Sequence, residues 1–315
     1  MFDDAPLFDD VAEGPRGGRA FWARAEDGVR VRFVHWPGGD QGTIVVFPGR
    51  TEYSEKYGRT AKDFAERGYH TLAIDWRGQG LADRLMDELK VGHVGRFTDY
   101  QLDAKMMFAL LEKLDLPKPY YMIGHSMGGG IGLRTLIEGS PFQAAIFTAP
   151  MWGILMNPVL RPFAWALTWS ARQVRMGHQL TPTTAEDAYV KVQPFEGNAL
   201  TTDPEMFAYM QRQLDAHPEL ALCGPSLHWL HEALVEIRHL ARQPSPAIPT
   251  ATFLGTEEKI VDRSAVHDRM GRWPDGQLHL MEGGEHEVMM ERPDLREQFY
   301  DDMLALFTRQ RKQAA

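Results

Sequence analysis

Ser126 lies at the centre of residues 124–128, which read Gly-His-Ser-Met-Gly, directly after an apolar run and before a glycine-rich apolar segment. A G-x-S-x-G sequence between a strand and a helix is typical of a nucleophile elbow, a sharp turn that holds a serine hydroxyl clear of the backbone. Glycines suit such a turn because a side chain there would collide with a neighbouring strand or helix. The pattern predicts a nucleophilic serine for acyl transfer; the alternative is a glycine-rich turn without chemical function.

A serine hydroxyl is a weak nucleophile, so Ser126 requires a general base that is itself oriented by a carboxylate. In a parallel sheet such groups come from loops at the carboxyl ends of later strands. Of the twelve histidines, His286 alone lies in a glycine-rich loop, residues 283–286, directly after the last apolar run of strand type. We therefore expect His286 to be the base.

The orienting acid is expected in the loop that follows the preceding strand. Residues 255–262 contain three carboxylates, Glu257, Glu258 and Asp262, and the residue pattern alone does not choose among them. The chosen carboxylate would hold the imidazole tautomer and stabilise the imidazolium without taking a proton. The non-catalytic alternatives are a surface charge and, for Asp262, an N-cap of the next helix.

Two backbone N–H groups are candidates for an oxyanion hole, in which each donor is worth about 10²–10³ in rate. One belongs to Met127, which directly follows the nucleophile. The other belongs to Arg50, because residues 48–50 read Pro-Gly-Arg and form an open turn after the first core strand. The Arg50 side chain is interpreted as a surface cation.

The elements that must position these groups alternate along the chain. Apolar runs predict strands over residues 19–25, 29–36, 43–47, 71–75, 120–123, 144–148, 250–254 and 278–281. Helical spacing predicts helices over residues 55–67, with Ser54 as N-cap, and over 100–114 and 229–240. This order predicts an α/β fold, a mostly parallel sheet with an N-terminal antiparallel hairpin and helices on both faces.

The alternation is interrupted after residue 148, where the next strand and its crossover helix are replaced by a long segment rich in large apolar residues. We expect a core formed by residues 1–148 and 226–315, with residues 149–225 inserted between its two parts. Such an apolar segment either packs on the core or meets apolar ligands.

Composition restricts the class of partner. The net charge is −9, which argues against nucleic acid, since phosphate binding requires a basic face. The single cysteine, Cys223, excludes an internal disulfide framework and fits a reducing compartment. We expect a cytoplasmic protein with at most peripheral membrane contact, because the inserted segment lacks the basic polar face of membrane-surface helices.

Taken together, the motifs resemble the α/β-hydrolase superfamily, and more narrowly the branch that contains monoacylglycerol lipases and bacterial lysophospholipases. The matching segments are residues 48–52 with Tyr57, 75–80, 92–94, 97–100, 124–128, 255–262 and 284–287. Two positions depart from the family pattern. Pro48 stands where the family usually has histidine, and Glu258 stands where it usually has aspartate. The resemblance implies Glu258 as the acid, with Asp262 in reserve.

The resemblance also implies a serine hydrolase that cleaves carboxylic esters of monoacyl lipids through an acyl-enzyme on Ser126, with no metal or organic cofactor. Residues 149–225 would be its cap, and its aromatic residues would contact the acyl chain or form the core of the cap. The candidates for substrate contact are Trp152, Phe163, Trp165 and Trp169. The alternatives are an esterase or thioesterase for small soluble substrates and, less favoured, a non-catalytic binding protein.

Overall fold

The computed structural model describes residues 2–88, 90–157, 159–182 and 184–314 of the 315-residue chain. Its strands are β1 Asp3–Ala5, β2 Arg19–Arg24, β3 Arg30–Trp36, β4 Thr43–Phe47, β5 His70–Asp75, β6 Tyr120–His125, β7 Ala144–Thr148, β8 Thr250–Gly255 and β9 Gly276–Met281. They form one sheet in the order β1-β2-β3-β5-β4-β6-β7-β8-β9. The pairs from β1 to β3 and the β3–β5 pair are antiparallel, and all pairs from β5 to β9 are parallel.

The helices alternate with the strands of the parallel part. They are α1 Asp9–Ala12, α2 Gly58–Glu66, α3 Tyr100–Lys113, α4 Met127–Glu138, α5 Arg161–Gln173, α6 Tyr189–Val192, α7 Pro204–Ala216, α8 Leu227–Ala241, α9 Arg263–Met270 and α10 Pro293–Ala314. Short 3-10 turns cover Ser54–Tyr57, Phe97–Asp99, Pro218–Leu220 and Val288–Met290. None of the described helices is long and apolar enough to cross a bilayer.

The core lies on both faces of the sheet, as the fully apolar central strands require. Val45 and Phe47 of β4 face one hydrophobic cluster, to which α3, α4 and α8 contribute. Ile44 and Val46 of the same strand face a second cluster with α2 and α10. Alternate residues of a strand point to opposite faces, so a strand buried on both faces is apolar throughout.

The predicted mostly parallel sheet, the N-terminal hairpin and the helices on both faces are confirmed. Each predicted strand is present, with ends shifted by at most two residues. The strand β1 was not predicted, since Asp3-Asp4-Ala5 has no apolar pattern and pairs with β2 through its backbone at the sheet edge.

The helix predicted to begin at Glu55 with Ser54 as its N-cap begins later. The structure has a 3-10 turn there, and α2 starts at Gly58. The predicted cap is wrong because the Ser54 Oγ donates a hydrogen bond to the Asp75 carboxylate at 2.8 Å, and the Ser54 N–H donates to the same oxygen at 2.7 Å. A long-range buried contact replaces the local one.

The helices α5, α6 and α7 lie between β7 and α8 in chain order, inside the predicted insertion 149–225, whose boundaries stay a prediction. Helix α5 packs against α8, where Trp165 meets the ring of His231 at 5.6 Å. Helices α6 and α7 share a separate apolar cluster, which includes Val190 and Phe207 and into which Tyr53 extends from the core. This cluster brings the insertion next to the turn after β4.

Candidate active site

Ser126 occupies a strained turn between β6 and α4. Its backbone has φ 49° and ψ −117°, in the positive-φ region that residues with a side chain rarely adopt. The turn is held on both sides, because the Ser126 N–H donates to Thr148 O at 3.0 Å and Ser126 O accepts from the Met151 N–H at 2.8 Å. Strain of this kind persists only where surrounding contacts fix the conformation, and it concentrates at functional sites.

Glycine is required immediately after this turn. A Cβ atom on Gly128 would lie 1.9 Å from Phe47 O, and one on Gly129 would lie 2.6 Å from the Pro150 side chain. The start of α4 therefore approaches the strands β4 and β7 more closely than any side chain would permit. This close approach places Ser126 at the amino end of α4, where the helix dipole favours negative charge.

His286 and Glu258 form a buried hydrogen-bonded pair. The His286 Nδ1 lies 2.7 Å from Glu258 Oε2, and the other carboxylate oxygen accepts from the Ile260 and Val261 N–H groups at 2.5 and 3.0 Å. Burial raises the pKa of Glu258, but the charge of His286 and these hydrogen bonds outweigh it, so its pKa lies below the ordinary value. An ionised Glu258 holds the proton on Nδ1 and leaves Nε2 free to accept one.

The two other carboxylates of the acid loop lie elsewhere. Asp262 is the N-cap of α9, where it accepts from the Ser264 N–H at 3.0 Å, and it also pairs with Arg161 at 3.2 Å. Glu257 is exposed. Of the three carboxylates that the sequence left open, the structure brings Glu258 to His286.

Ser126 and His286 line the same cavity, which has a volume of about 200 Å³. One wall is apolar and combines core and insertion residues, namely Tyr53, Val190, Leu200, Met210, Leu214 and Ile260. Another part of the lining, the polar wall, includes Arg50, Glu52, Lys56, His125 and Glu287. The cavity therefore offers an apolar surface beside a nucleophile and a candidate base.

The two predicted oxyanion donors belong to Met127, which directly follows Ser126, and to Arg50, which lines the same cavity. The Met127 N–H begins α4, and the Arg50 N–H lies in the turn after β4; neither has an acceptor among the described residues. The rest of the turn is fixed, since Trp76 Nε1 donates to Pro48 O at 3.0 Å and Gln79 Nε2 donates to Gly49 O at 2.8 Å. Unpaired N–H groups on a rigid turn are suited to a developing oxyanion.

The interpretation of the Arg50 side chain as a surface cation is wrong. Its guanidinium donates to Cys223 O at 2.8 Å and lies over the Trp229 ring, 5.7 Å from the ring centroid. Burial lowers the pKa of Arg50 to about 10. The side chain thus joins the turn after β4 to the end of the predicted insertion.

None of the four aromatic residues predicted to contact substrate lines this cavity. Trp152 is buried against Phe147 and Trp273, and its Nε1 donates to Gly129 O at 3.1 Å. Trp165 packs on α8, while Phe163 and Trp169 project from α5 with 67% and 58% of their surface exposed. The part of the apolar wall that the insertion contributes comes instead from α6, α7 and the segment between them.

Four charged or titratable residues of the polar wall were missed as site residues: Glu52, Lys56, His125 and Glu287. The donor atoms of Glu52, His125 and Glu287 lie within 4.8 Å of one another, a set that could hold a metal ion. The ammonium of Lys56 bonds to both carboxylates and already supplies a positive charge there. Three of the four lie within segments quoted for the family resemblance, and this was the available signal.

The chain matches the Hydrolase_4 family, described as serine aminopeptidase, S33, over residues 38–293. The chain belongs to this family. A relative, lysophospholipase L2 of Escherichia coli (strain K12), is 31% identical over 284 residues, which cover 86% of this chain and 82% of that protein. The monoacylglycerol lipase of Mycolicibacterium smegmatis (strain ATCC 700084 / mc(2)155) is 29% identical, with 84% and 88% covered.

The fold of this Hydrolase_4 member is also found among solved structures. A soluble variant of the monoglyceride lipase from Saccharomyces cerevisiae, in complex with a substrate analogue, superposes with a TM-score of 0.70 at 19% identity, covering 92% of this chain and 94% of that chain. These comparisons confirm the predicted α/β-hydrolase resemblance, the fold and the enzyme class, a carboxylic ester hydrolase of the serine type.

Proposed function

We propose that this serine hydrolase cleaves carboxylic esters of monoacyl lipids, lysophospholipids or monoacylglycerols, through an acyl-enzyme on Ser126. The observation that carries the proposal is the cavity in which Ser126 and the Glu258-paired His286 face an apolar wall. The names of the relatives, lysophospholipase L2 and monoacylglycerol lipase, support the same substrate class.

The proposed reaction uses each group in a defined role. His286 Nε2 takes the proton of the Ser126 hydroxyl as the serine attacks the ester carbonyl, and Glu258 stabilises the resulting imidazolium. The Met127 and Arg50 N–H groups bind the oxyanion. His286 then protonates the leaving alcohol, and water attacks the acyl-enzyme by the same route in reverse. The acyl chain would lie along the apolar wall.

Ser126→Ala tests the reaction. We expect the variant to lose ester hydrolysis and covalent labelling by a fluorophosphonate probe, while its thermal unfolding stays close to that of the wild type. Hydrolysis of monoacylglycerol and lysophospholipid by the wild type, with Ser126→Ala as the blank, then identifies the lipid class. Full activity in Ser126→Ala would refute the mechanism, and absence of labelling in the folded wild type would favour a non-catalytic binding protein.

The size of the cavity favours one alternative, an esterase for small soluble substrates. Its volume of about 200 Å³ lies below the range of about 300–1,000 Å³ common for ligand pockets. A series of nitrophenyl esters from two to sixteen carbons distinguishes the two functions. A short-chain optimum in kcat/KM supports the small-ester enzyme, and an optimum at long chains supports the lipid enzyme.

We also propose that the insertion makes the peripheral membrane contact. Residues 159–170 expose nine positions, and seven of them are apolar. Ten of the eleven exposed large hydrophobic side chains among the described residues lie between Leu155 and Val192. Residues 151–184 contain no Asp or Glu, and Arg161, Arg172 and Arg175 are exposed there, so basic side chains accompany the apolar ones. This combination of apolar and basic residues favours a lipid surface.

Vesicle flotation of Ser126→Ala protein tests this contact without substrate turnover. The triple change Leu160→Gln, Leu167→Gln and Val174→Gln should lower partitioning onto phosphatidylglycerol-containing vesicles at least about tenfold, because each side chain loses apolar burial. Leu280→Gln is the matched control, since Leu280 is 46% exposed on β9 of the core. Equal partitioning of the triple variant and the control would exclude this surface.

A further inference from the structure

Three loops must keep their relative positions for the proposed reaction: the turn at residues 48–52, the elbow at 125–126 and the loop at 286–287. A buried cluster of Glu52, Lys56, His125 and Glu287 connects them. The Lys56 ammonium bonds to the Glu52 carboxylate and, at 2.6 Å, to Glu287 Oε1. One side chain therefore joins the turn after β4 to the residue that follows His286.

Glu52 is fixed to the turn that carries the Arg50 N–H. Its Oε2 accepts a hydrogen bond from the Gly49 N–H and another, at 2.5 Å, from the Tyr57 hydroxyl. A Cβ atom on Gly49 would lie 3.1 Å from both Glu52 Oε2 and His125 Cδ2. The Pro48–Gly49 peptide thus rests directly on the charged cluster, and Glu52 fixes Gly49, the residue that precedes the Arg50 N–H.

The buried carboxylates around His125 favour its cationic form. Its Nδ1 lies 2.9 Å from Thr148 Oγ1, which can donate or accept, and 3.1 Å from Thr148 O, which only accepts. Its Nε2 faces Glu287 Oε2 at 3.3 Å and Glu52 Oε1 at 3.6 Å. A lone pair there would face two anions, so Nε2 carries a proton. Burial lowers the pKa of His125, but Glu287 and Glu52 raise it further, and the net shift is upward.

With His125 protonated, the cluster has two carboxylates and two cations and is electrically balanced. Balanced and fully paired buried charges contribute little net stability but define one geometry, whereas removal of one partner leaves an uncompensated charge. The imidazolium of His125 also packs edge-on against the His286 ring, with centroids 4.9 Å apart. The cluster contacts all three loops, and the Glu258–His286 pair lies outside it.

We propose that Glu52, Lys56, His125 and Glu287 are positioning residues. They hold the Arg50 N–H and His286 in fixed positions relative to Ser126. The inference rests on the proposed function, because it assigns the Arg50 N–H to the oxyanion hole. Glu52 acts through Gly49, which precedes the Arg50 N–H, and Lys56 couples the positions of Glu52 and Glu287. An oxyanion donor acts in the transition state, so displacing it lowers kcat and leaves KM unchanged.

Glu52→Gln and Lys56→Met test the proposal with a soluble nitrophenyl ester. In the Glu52→Gln protein, the new amide NH₂ would face either Lys56 or the Gly49 N–H, so one contact is lost. We expect kcat and the rate of fluorophosphonate labelling to fall about 10²–10³-fold, as for loss of one oxyanion donor, with KM within twofold of the wild-type value. The double variant should lower kcat by about the same factor as either single variant, since both residues act as a unit.

Glu236→Gln is the matched control, because Glu236 is an equally buried carboxylate that pairs with Arg134 and does not line the cavity. It should lower the melting temperature while kcat stays within threefold. Tyr57→Phe removes only the hydroxyl that bonds Glu52 and keeps the charges; it should lower kcat severalfold at constant KM even if the charge variants do not fold.

Wild-type kcat in Tyr57→Phe, or in a folded Glu52→Gln protein, would overturn the proposal. The proposal would also be overturned if Glu236→Gln lowered kcat as much as the cluster variants do at an equal loss of stability. The Ser126→Ala result distinguishes failure of the positioning role from failure of the proposed function. Labelling that depends on Ser126 but is insensitive to Glu52 and Tyr57 would refute the positioning role and leave the proposed function intact.

Discussion

Replacing Glu258 with glutamine is the most direct test of the acid. Glu258 accepts three hydrogen bonds, one from His286 Nδ1 and two from the Ile260 and Val261 N–H groups. A glutamine oxygen can keep the two backbone bonds, and the amide NH₂ then faces His286. Since that NH₂ only donates, Nδ1 must become the acceptor and the proton moves to Nε2. The base would then have the wrong tautomer toward Ser126.

The size of the effect follows from this change of tautomer. The corresponding Asp→Asn change in a serine protease triad, which leaves the geometry intact, costs about 10⁴ in kcat. We expect Glu258→Gln to lower kcat for a nitrophenyl ester by about 10⁴ at pH 7, equivalent to about 5.4 kcal/mol of transition-state stabilisation. Steady-state hydrolysis and the second-order rate of fluorophosphonate labelling both measure it.

Asp262→Asn is the control for this experiment. Asp262 caps α9 and pairs with Arg161, so the amide should cost at most about 1 kcal/mol of stability and leave kcat within threefold. The opposite pattern, near-normal turnover in Glu258→Gln and a large loss in Asp262→Asn, would transfer the acid role to Asp262. Near-normal turnover in both variants would refute the triad itself.

Three further outcomes are expected. His125→Gln should flatten the decline of stability at alkaline pH. The folded-state pKa of His125 is raised, so its protonation stabilises the protein fully below about pH 6.5, and this contribution is lost as pH rises through the folded pKa, at up to about 1.4 kcal/mol per pH unit. Equal slopes of unfolding free energy against pH in the wild type and the variant, measured by urea unfolding at pH 6–9, would contradict this expectation. Trp152→Phe should lower stability by about 1–3 kcal/mol, since Gly129 O loses its donor, with KM unchanged. Gly128→Ala should destabilise by at least about 4 kcal/mol, measured by thermal unfolding, because its Cβ would strike Phe47 O.

The parts of the fold that could be predicted from sequence are those with a local signal. The strands β4, β6, β7 and β8 are buried throughout and mostly apolar, and a short apolar run bounded by turns identifies such strands. The elbow and the loop of His286 follow from glycine spacing next to these strands. Strand β1 has no such signal, because backbone pairing alone forms it.

The charged cluster could not be predicted, for a physical reason. Residues 54–57 read Ser-Glu-Lys-Tyr, which in sequence favours a solvated first turn of a helix, yet all four are buried. Charged groups are buried only with partners, and the partner of Lys56, Glu287, lies 231 residues away in sequence. No local window contains both. The substrate-contact hypothesis for the aromatic residues had the same weakness, since residue type does not distinguish the buried Trp152 from the exposed Trp169.

The loop of His286 shows how position, and not residue type, separates two carboxylates of equal chemistry. Glu287 is adjacent to His286 in sequence, yet its oxygens face Lys56 and His125, and these cations hold the pKa of Glu287 well below its ordinary value despite burial. Glu258 is 28 residues away and reaches Nδ1. Lys56 and His125 hold the Glu287 oxygens in the charged cluster, whereas Glu258 binds the Nδ1 of His286. In a Lys56→Met protein His125 still faces Glu287, so this change should not restore activity to Glu258→Gln.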